Sequence, residues 1–167
     1  NDAELKRLAE TGTGVAHCPI SNMKLSSGIA RIPEMLKLGV RVGLAVDGSA
    51  SNDGSDLLEE LRTGFLLHRL NSSSAAPTGY DMLKIATRGS ALILGRDDIG
   101  QIAEGMAADF FLINMDRLSL TGAQFDVSSM LGTVGYKGNV DYTVVNGRVV
   151  VREGRLTGVD EEKITAE

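Results

Sequence analysis

Residues 40–46 form a Val- and Leu-rich run that ends at Asp47, before a polar loop and a helix that opens near Ser55. Such a run is typical of a largely buried parallel strand. The carboxyl ends of parallel strands are where α/β proteins gather their functional side chains. Because a carboxylate at the mouth of a buried strand is costly unless paired, we expect a metal ion, an arginine or N–H donors beside Asp47. The alternative is that Asp47 only starts a turn with Gly48 or caps the next helix.

The flanking segments alternate between helical and extended patterns, which predicts parallel strands, right-handed crossovers and an α/β fold. Residues 20–28 are polar and follow a short strand, so we expect them to form a ligand-facing loop. The other predicted elements of this half are a helix at 1–12, a strand at 14–18, a helix around 29–39, the strand at 40–46, and helices at 55–70 and 78–94.

From about residue 97 the pattern becomes β-rich. A strand is predicted at 107–113 and a hairpin at 141–151, where Asn146-Gly147 supplies the positive-φ residues of a tight turn. Residues 123–138 have no clear period and are predicted to be a loop with one short helix, and a terminal helix opens near residue 160. The sequence therefore predicts two domains, 1–96 and 97–167.

Composition excludes several classes of function. The net charge is −5 and no basic stripe is present, which argues against nucleic-acid binding. No apolar run approaches a membrane span. The single cysteine, Cys18, excludes an internal disulfide, fits a reducing compartment and predicts a cytoplasmic protein. Two parallel strands cannot cover their own edges, so we expect the chain to be a piece of something larger.

Four motifs in order resemble the C-terminal part of the amidohydrolase superfamily, in its cytosine/guanine/triazine deaminase branch. Within that branch they are most similar to 8-oxoguanine deaminases, and hydroxytriazine aminohydrolases share much of this sequence. The motifs are VAHCPISNMKLSSG at 15–28, VGLAVDGSASND at 42–53, GMAADF at 105–110 and VVNGRVVVREG at 144–154.

The resemblance implies the C-terminal part of a (β/α)₈ TIM barrel, strands seven and eight, plus part of a small composite β-sandwich. It implies that Asp47 binds one divalent metal, zinc in the first place and iron as an alternative, and takes a proton from the attacking water. It also implies a small heterocyclic substrate, the remainder of the barrel as a partner, and a homo-oligomer at full length.

The family's other metal ligands are histidines of strands one and five, with a catalytic histidine on strand six and a glutamate on strand five. This sequence contains only His17 and His68, and neither matches those positions. A catalytic zinc needs three or more protein ligands, so we expect the chain alone to be inactive.

Four further residues are candidate substrate contacts: His17, Cys18, Asn22 and Ser51. Each has a structural alternative. His17 can be satisfied by neighbouring backbone, Cys18 can be a small buried hydrophobe, and the polar side chains can make turn hydrogen bonds. His68 is interpreted as structural because it lies near the apolar stripe of its helix.

The sequence thus predicts part of a metal-dependent hydrolytic deaminase of 8-oxoguanine or a related heterocycle. The alternative enzyme activity is the deamination of a hydroxytriazine or of guanine. A non-catalytic stand-alone module and one half of a split enzyme are the alternatives from other classes.

Overall fold

The computed structural model describes residues 1–166, which form two compact units. The first unit comprises 1–97 and 122–136, and the second comprises 98–121 and the chain from 137 onward. The segment 122–136 joins the first unit because its short helix packs on two helices there. This differs from the division at 96/97, which stays a prediction about the domains of the whole protein. Among the described residues no helix is both long and apolar enough to cross a membrane.

The first unit is mostly helical around one pair of strands. Strands β1 and β2 are parallel, with Val15 opposite Val42 and His17 opposite Leu44. Its elements are α1 Asp2–Thr11, β1 Val15–His17, α2 Pro19–Lys24, α3 Ile32–Lys37, β2 Val42–Leu44, α4 Leu57–Ser72, α5 Gly79–Lys84, a π-helical turn Ile85–Gly89, α6 Ser90–Ile93, and α7 Met130–Thr133, with 3₁₀ turns at Ser73–Ala75 and Ala123–Asp126.

The predicted parallel α/β arrangement of this unit is confirmed, and so are its main helices. Helix α1 begins with a capping box formed by Asn1 and Glu4 and ends at Thr11, followed by the C-cap residue Gly12 in a left-handed conformation. A second capping box, between Thr78 and Asp81, starts α5. The core of the unit includes the fully buried side chains Ile32, Leu61 and Met82.

The prediction of a loop over 20–28 is wrong for its first half, because Pro19–Lys24 is the helix α2. Pro19 occupies the first helical position, where its fixed φ suits a helix and its missing N–H costs nothing. The N-cap residue Cys18 makes no side-chain capping bond, so no local capping motif announces the helix. Polar composition alone therefore indicated a loop.

The second unit contains an antiparallel sheet of four strands in the order β3-β4-β5-β6. The predicted hairpin joins β4 to β5, and Asn146 and Gly147 both have positive φ. A fourth short strand, not predicted, pairs with β5. The elements are β3 Phe110–Leu112, a 3₁₀ turn Leu118–Leu120, β4 Tyr142–Val145, β5 Arg148–Arg152, β6 Arg155–Leu156 and α8 Glu161–Ala166.

Candidate functional site

Asp47 lies three residues beyond the end of β2, and its side chain is exposed to solvent. The strand itself is fully buried, as predicted, but the carboxylate is not, so the expected burial cost does not apply to Asp47 in this chain. Its backbone has φ of 65°, a left-handed conformation that non-glycine residues adopt rarely and that is often found at functional sites. The chain therefore turns sharply at this residue and presents the carboxylate outward.

Both oxygens of the Asp47 carboxylate accept hydrogen bonds. The Ser21 hydroxyl, on α2, donates to Oδ2 at 2.7 Å, and the Gly48 amide donates to Oδ1 at 2.8 Å. These donors, with a contribution from Ser51, hold the pKa of Asp47 below its usual value, Ser21 having the largest effect. An ionised carboxylate has about four lone-pair positions. These donors leave part of that capacity free, so Asp47 can still bind a cation or accept a proton.

The loop after Asp47 folds back on itself. The backbone amides of Ser51 and Asn52 both donate to the Gly48 carbonyl, and the Ser51 hydroxyl donates to the same oxygen at 3.0 Å. Ser51, a predicted substrate contact, is half-buried and stabilises the loop in this way. Its role toward a substrate stays a prediction.

Glu60 is a functional candidate that the sequence reasoning missed. It lies on α4 with an exposed fraction of 0%, although it carries a carboxylate. Its Oε2 accepts from the Ile20 amide at 3.0 Å, and its Oε1 accepts from Asn52 Nδ2 at 2.5 Å. Burial raises the pKa of Glu60, while these two donors act in the opposite direction. The missed signal was its spacing of four residues from Gly64, and of eight from His68, which are buried on the same face of the helix.

His17 and His68 form a buried pair. Their Nε2 atoms are 3.0 Å apart, their exposed fractions are 1% and 0%, and among the described residues neither Nδ1 has a hydrogen-bond partner. Burial is the main cause that lowers the pKa of both rings, to about 4 for His17. His17 therefore points into the interior against His68. Its predicted substrate contact remains untested, and the structure gives His68 the interior position that a structural role requires.

Cys18 and Asn22 are both half-buried at the start of α2. Burial first, and then the negative charges of Asp47 and Glu60, raise the pKa of the Cys18 thiol. A thiol held in its protonated form is a poor nucleophile, as expected for a small packing residue. Asn22 takes part in α2 through its backbone amide, which donates to the Cys18 carbonyl. Their predicted contacts with a substrate are not tested by this geometry.

The donor set of this chain fits one ligand of a divalent metal and not a complete site. Asp47 is accessible and ionised, as a metal ligand must be. Within residues 1–166, however, no group of three or more His, Cys, Asp or Glu side chains is arranged to hold a metal ion. A metal bound by Asp47 would therefore need further ligands beyond those that residues 1–166 arrange.

Comparison with known proteins identifies the family of this chain and proteins of similar sequence. Residues 1–150 match the Amidohydrolase family. Hydroxydechloroatrazine ethylaminohydrolase from Pseudomonas sp. strain ADP is 46% identical over 165 residues, which cover 97% of this chain and 34% of that protein. 8-Oxoguanine deaminase from Pseudomonas aeruginosa is 42% identical over 160 residues, which cover 96% of this chain and 35% of that protein.

Among solved structures, atrazine chlorohydrolase from Arthrobacter aurescens TC1, crystallised with zinc, is similar with a TM-score of 0.94 and 36% identity. That similarity covers 99% of this chain and 37% of the other. The chain thus spans slightly more than a third of the length of the relatives that it matches. Of the relatives named here, one is named as an ethylaminohydrolase, one as a deaminase and one as a chlorohydrolase.

Proposed function

This chain belongs to the amidohydrolase family, and we propose on that premise that it supplies Asp47 to the active site of a hydrolytic deaminase. The observation that carries the proposal is the Asp47 carboxylate itself. It lies exposed beyond the carboxyl end of a buried parallel strand, held by Ser21 and kept ionised, with lone pairs to spare. Its substrate would be a small nitrogen heterocycle that bears an amino group.

In the proposed reaction, water attacks the ring carbon that carries the amino group, the C–N bond breaks and the amine leaves, as ammonia from 8-oxoguanine or as ethylamine from an ethylamino-substituted hydroxytriazine. A divalent metal, zinc or iron, would lower the pKa of the attacking water when bound. Asp47 would be one of its ligands and would accept the water proton on a carboxylate oxygen, then deliver it to the departing nitrogen. Ser21 and the Gly48 amide would keep the carboxylate oriented throughout.

The fold assignment belongs to the same proposal. Strands β1 and β2 would be strands seven and eight of a (β/α)₈ barrel, within a domain 1–96. The antiparallel sheet of the second unit would be part of a composite β-sandwich, within a domain 97–167. The parallel pairing and the position of Asp47 beyond β2 support this assignment. The proposed partner is the remainder of the barrel, and the proposed full-length protein is a cytoplasmic homo-oligomer.

Two substrates are proposed, in order. The first is 8-oxoguanine, supported by the DGSASND and RVVVREG motifs and by 42% identity to a deaminase of that purine. The second is a hydroxytriazine, which the 46% identity to hydroxydechloroatrazine ethylaminohydrolase favours. Comparative turnover of 8-oxoguanine, guanine and hydroxyatrazine by the full-length protein separates them. Negligible turnover of 8-oxoguanine would remove the first candidate.

The role of Asp47 is tested by Asp47→Ala in the full-length protein. General acid–base catalysis contributes typically 10²–10⁴-fold, so ammonia release is expected to fall by at least about 100-fold. Asp53→Ala is the matched control. It removes an exposed carboxylate of the same loop, one that pairs with Lys24, and such a pair contributes little. An Asp47→Ala variant as active as the control would contradict the proposed role.

A further inference from the structure

Two N–H groups donate hydrogen bonds to the buried carboxylate of Glu60. Each belongs to a segment that is also hydrogen-bonded to Asp47 or to the residue before it. A buried charge is costly unless its oxygens are hydrogen-bonded, and here each oxygen accepts one bond. Both partners are N–H donors, the Ile20 amide and Asn52 Nδ2. The site therefore suits two acceptor oxygens, which a carboxylate has and an amide does not.

One route to Asp47 runs through α2. The Ile20 amide is one of the first-turn N–H groups that have no partner inside their own helix, and Glu60 Oε2 binds it. The next residue in the helix, Ser21, is 2% exposed and donates to Asp47 Oδ2. Glu60 thus holds the helix turn that carries the donor of the Asp47 side chain.

The other route runs through the loop backbone. Asn52, 4% exposed, donates from Nδ2 both to Glu60 Oε1 and to the carbonyl of Val46 at 2.8 Å. Its Oδ1 accepts from the Gly54 amide, which fixes the amide orientation. Val46 directly precedes Asp47, whose left-handed backbone must be imposed by its surroundings. Glu60 therefore constrains the Asp47 side chain through α2 and the Asp47 backbone through Asn52.

We propose that Glu60 and Asn52 are positioning residues for Asp47: Glu60 fixes Asn52, and Asn52 holds the Val46 carbonyl so that the Asp47 carboxylate points to the reaction site. This inference deepens the proposed function and rests on it for its catalytic consequence. The competing interpretation is that the pair only stabilises the core of the first unit. Partners that orient metal ligands typically change metal affinity or activity by about 10–100-fold when removed.

Glu60→Gln keeps the shape but places a donor against one of the two N–H groups. In the full-length protein we expect kcat and zinc retention to fall by about 10–100-fold. We also expect KM to stay within about twofold, because a loss of transition-state positioning leaves uniform substrate binding unchanged. The matched control is Glu59→Gln, the preceding residue on the exposed face of α4, which should leave all three values near wild type.

The double variant Glu60→Gln/Asn52→Asp separates positioning from stability. The amide introduced by Glu60→Gln can donate to the carboxylate introduced by Asn52→Asp, which restores a bond across the pair with reversed polarity. That carboxylate cannot donate to the Val46 carbonyl. We therefore expect kcat and zinc retention to stay low whether or not the denaturant midpoint recovers. Recovery of the denaturant midpoint, kcat and zinc retention together would overturn the positioning role.

Hydrogen–deuterium exchange of the amides in 46–54 provides a readout that does not depend on catalysis. Faster exchange in Glu60→Gln than in Glu59→Gln is expected, and equal exchange would overturn the inference. If wild-type protein retains no metal and releases no ammonia, the proposed function fails. The exchange difference still decides whether Glu60 holds the Asp47 loop, so the two failures are distinguishable.

Discussion

The neighbouring rings of His17 and His68, tilted by 44°, place two ionisable groups inside the first unit, 5.1 Å apart between ring centroids. A hydrogen bond between two Nε2 atoms requires one donor and one acceptor, so the pair fits the structure with both rings neutral. Among the charged groups that act on the pair, Glu34 raises the pKa of His68, and burial outweighs it. Each ring therefore resists protonation in the folded chain.

This pair predicts a loss of stability in mild acid. Below the usual histidine pKa of about 6.5 the unfolded chain binds protons that folded His17, with a pKa of about 4, does not. The free energy of unfolding therefore falls as the pH drops from 6.5 toward 4. For His17 alone the loss is about 2 kcal/mol by pH 5. Urea unfolding at pH 7.5 and pH 5 measures it.

The matched variant is His17→Gln, which keeps a hydrogen-bonding side chain that cannot titrate. Its pH dependence over this range should be weaker than that of wild type by about 2 kcal/mol. Burial raises the pKa of Glu60, and this acts with the opposite sign, because a raised carboxyl pKa favours the folded state at low pH. The comparison with His17→Gln cancels that contribution. Equal pH dependence of the two proteins would contradict the prediction.

At the scale of elements, the helical stretch from α5 to α6 packs closely on strand β2. The Ser90 hydroxyl donates to the Leu44 carbonyl and accepts from the Leu44 amide at 3.1 Å. Gly89 ends the π-helical turn, and a Cβ there would lie 2.1 Å from the Val42 carbonyl oxygen. The absence of a side chain lets the helix approach the strand backbone.

Gly89→Ala is therefore expected to destabilise the protein by at least about 1–3 kcal/mol, the usual cost of overpacking, because the clash is with backbone that cannot rotate away. Denaturant unfolding measures the change. Gly158→Ala is the control, since a Cβ there meets nothing within 4 Å, and a change within about 0.5 kcal/mol is expected. A Gly89→Ala protein as stable as the control would contradict the prediction, because the helix could then move away from the strand at no cost in stability.

The secondary-structure elements also show which parts of the fold can be predicted from the sequence. Helix α1, the Thr78 capping box and the Asn146-Gly147 hairpin were predictable because their signals are local. Helix α2 was not, because a carboxylate forty residues away, Glu60, binds its first-turn amide. The position of Asp47 beyond β2 followed from the hydrophobic pattern. The Glu60–Asn52 contact and the histidine pair depend on tertiary packing, which no local pattern encodes.

At the scale of the whole molecule, the donor set predicts that the 167-residue chain cannot work by itself. A catalytic zinc is held by three protein ligands, and residues 1–166 contain no group of three His, Cys, Asp or Glu side chains that could hold a metal ion. The chain purified alone should therefore retain well under one zinc per molecule after dialysis and release neither ammonia from 8-oxoguanine nor ethylamine from hydroxyatrazine. Elemental analysis and assays for ammonia and ethylamine test these statements.

The full-length protein under the same conditions should retain about one metal per chain, and mixing the 167-residue chain with a polypeptide that carries the missing ligands should restore both properties. Asp47→Ala in the mixture should again remove them, which ties the recovered activity to this chain rather than to a contaminant. Stoichiometric zinc on the chain alone, lost in Asp47→Ala, would contradict the argument. It would mean that the described residues rearrange to build a complete site around this carboxylate.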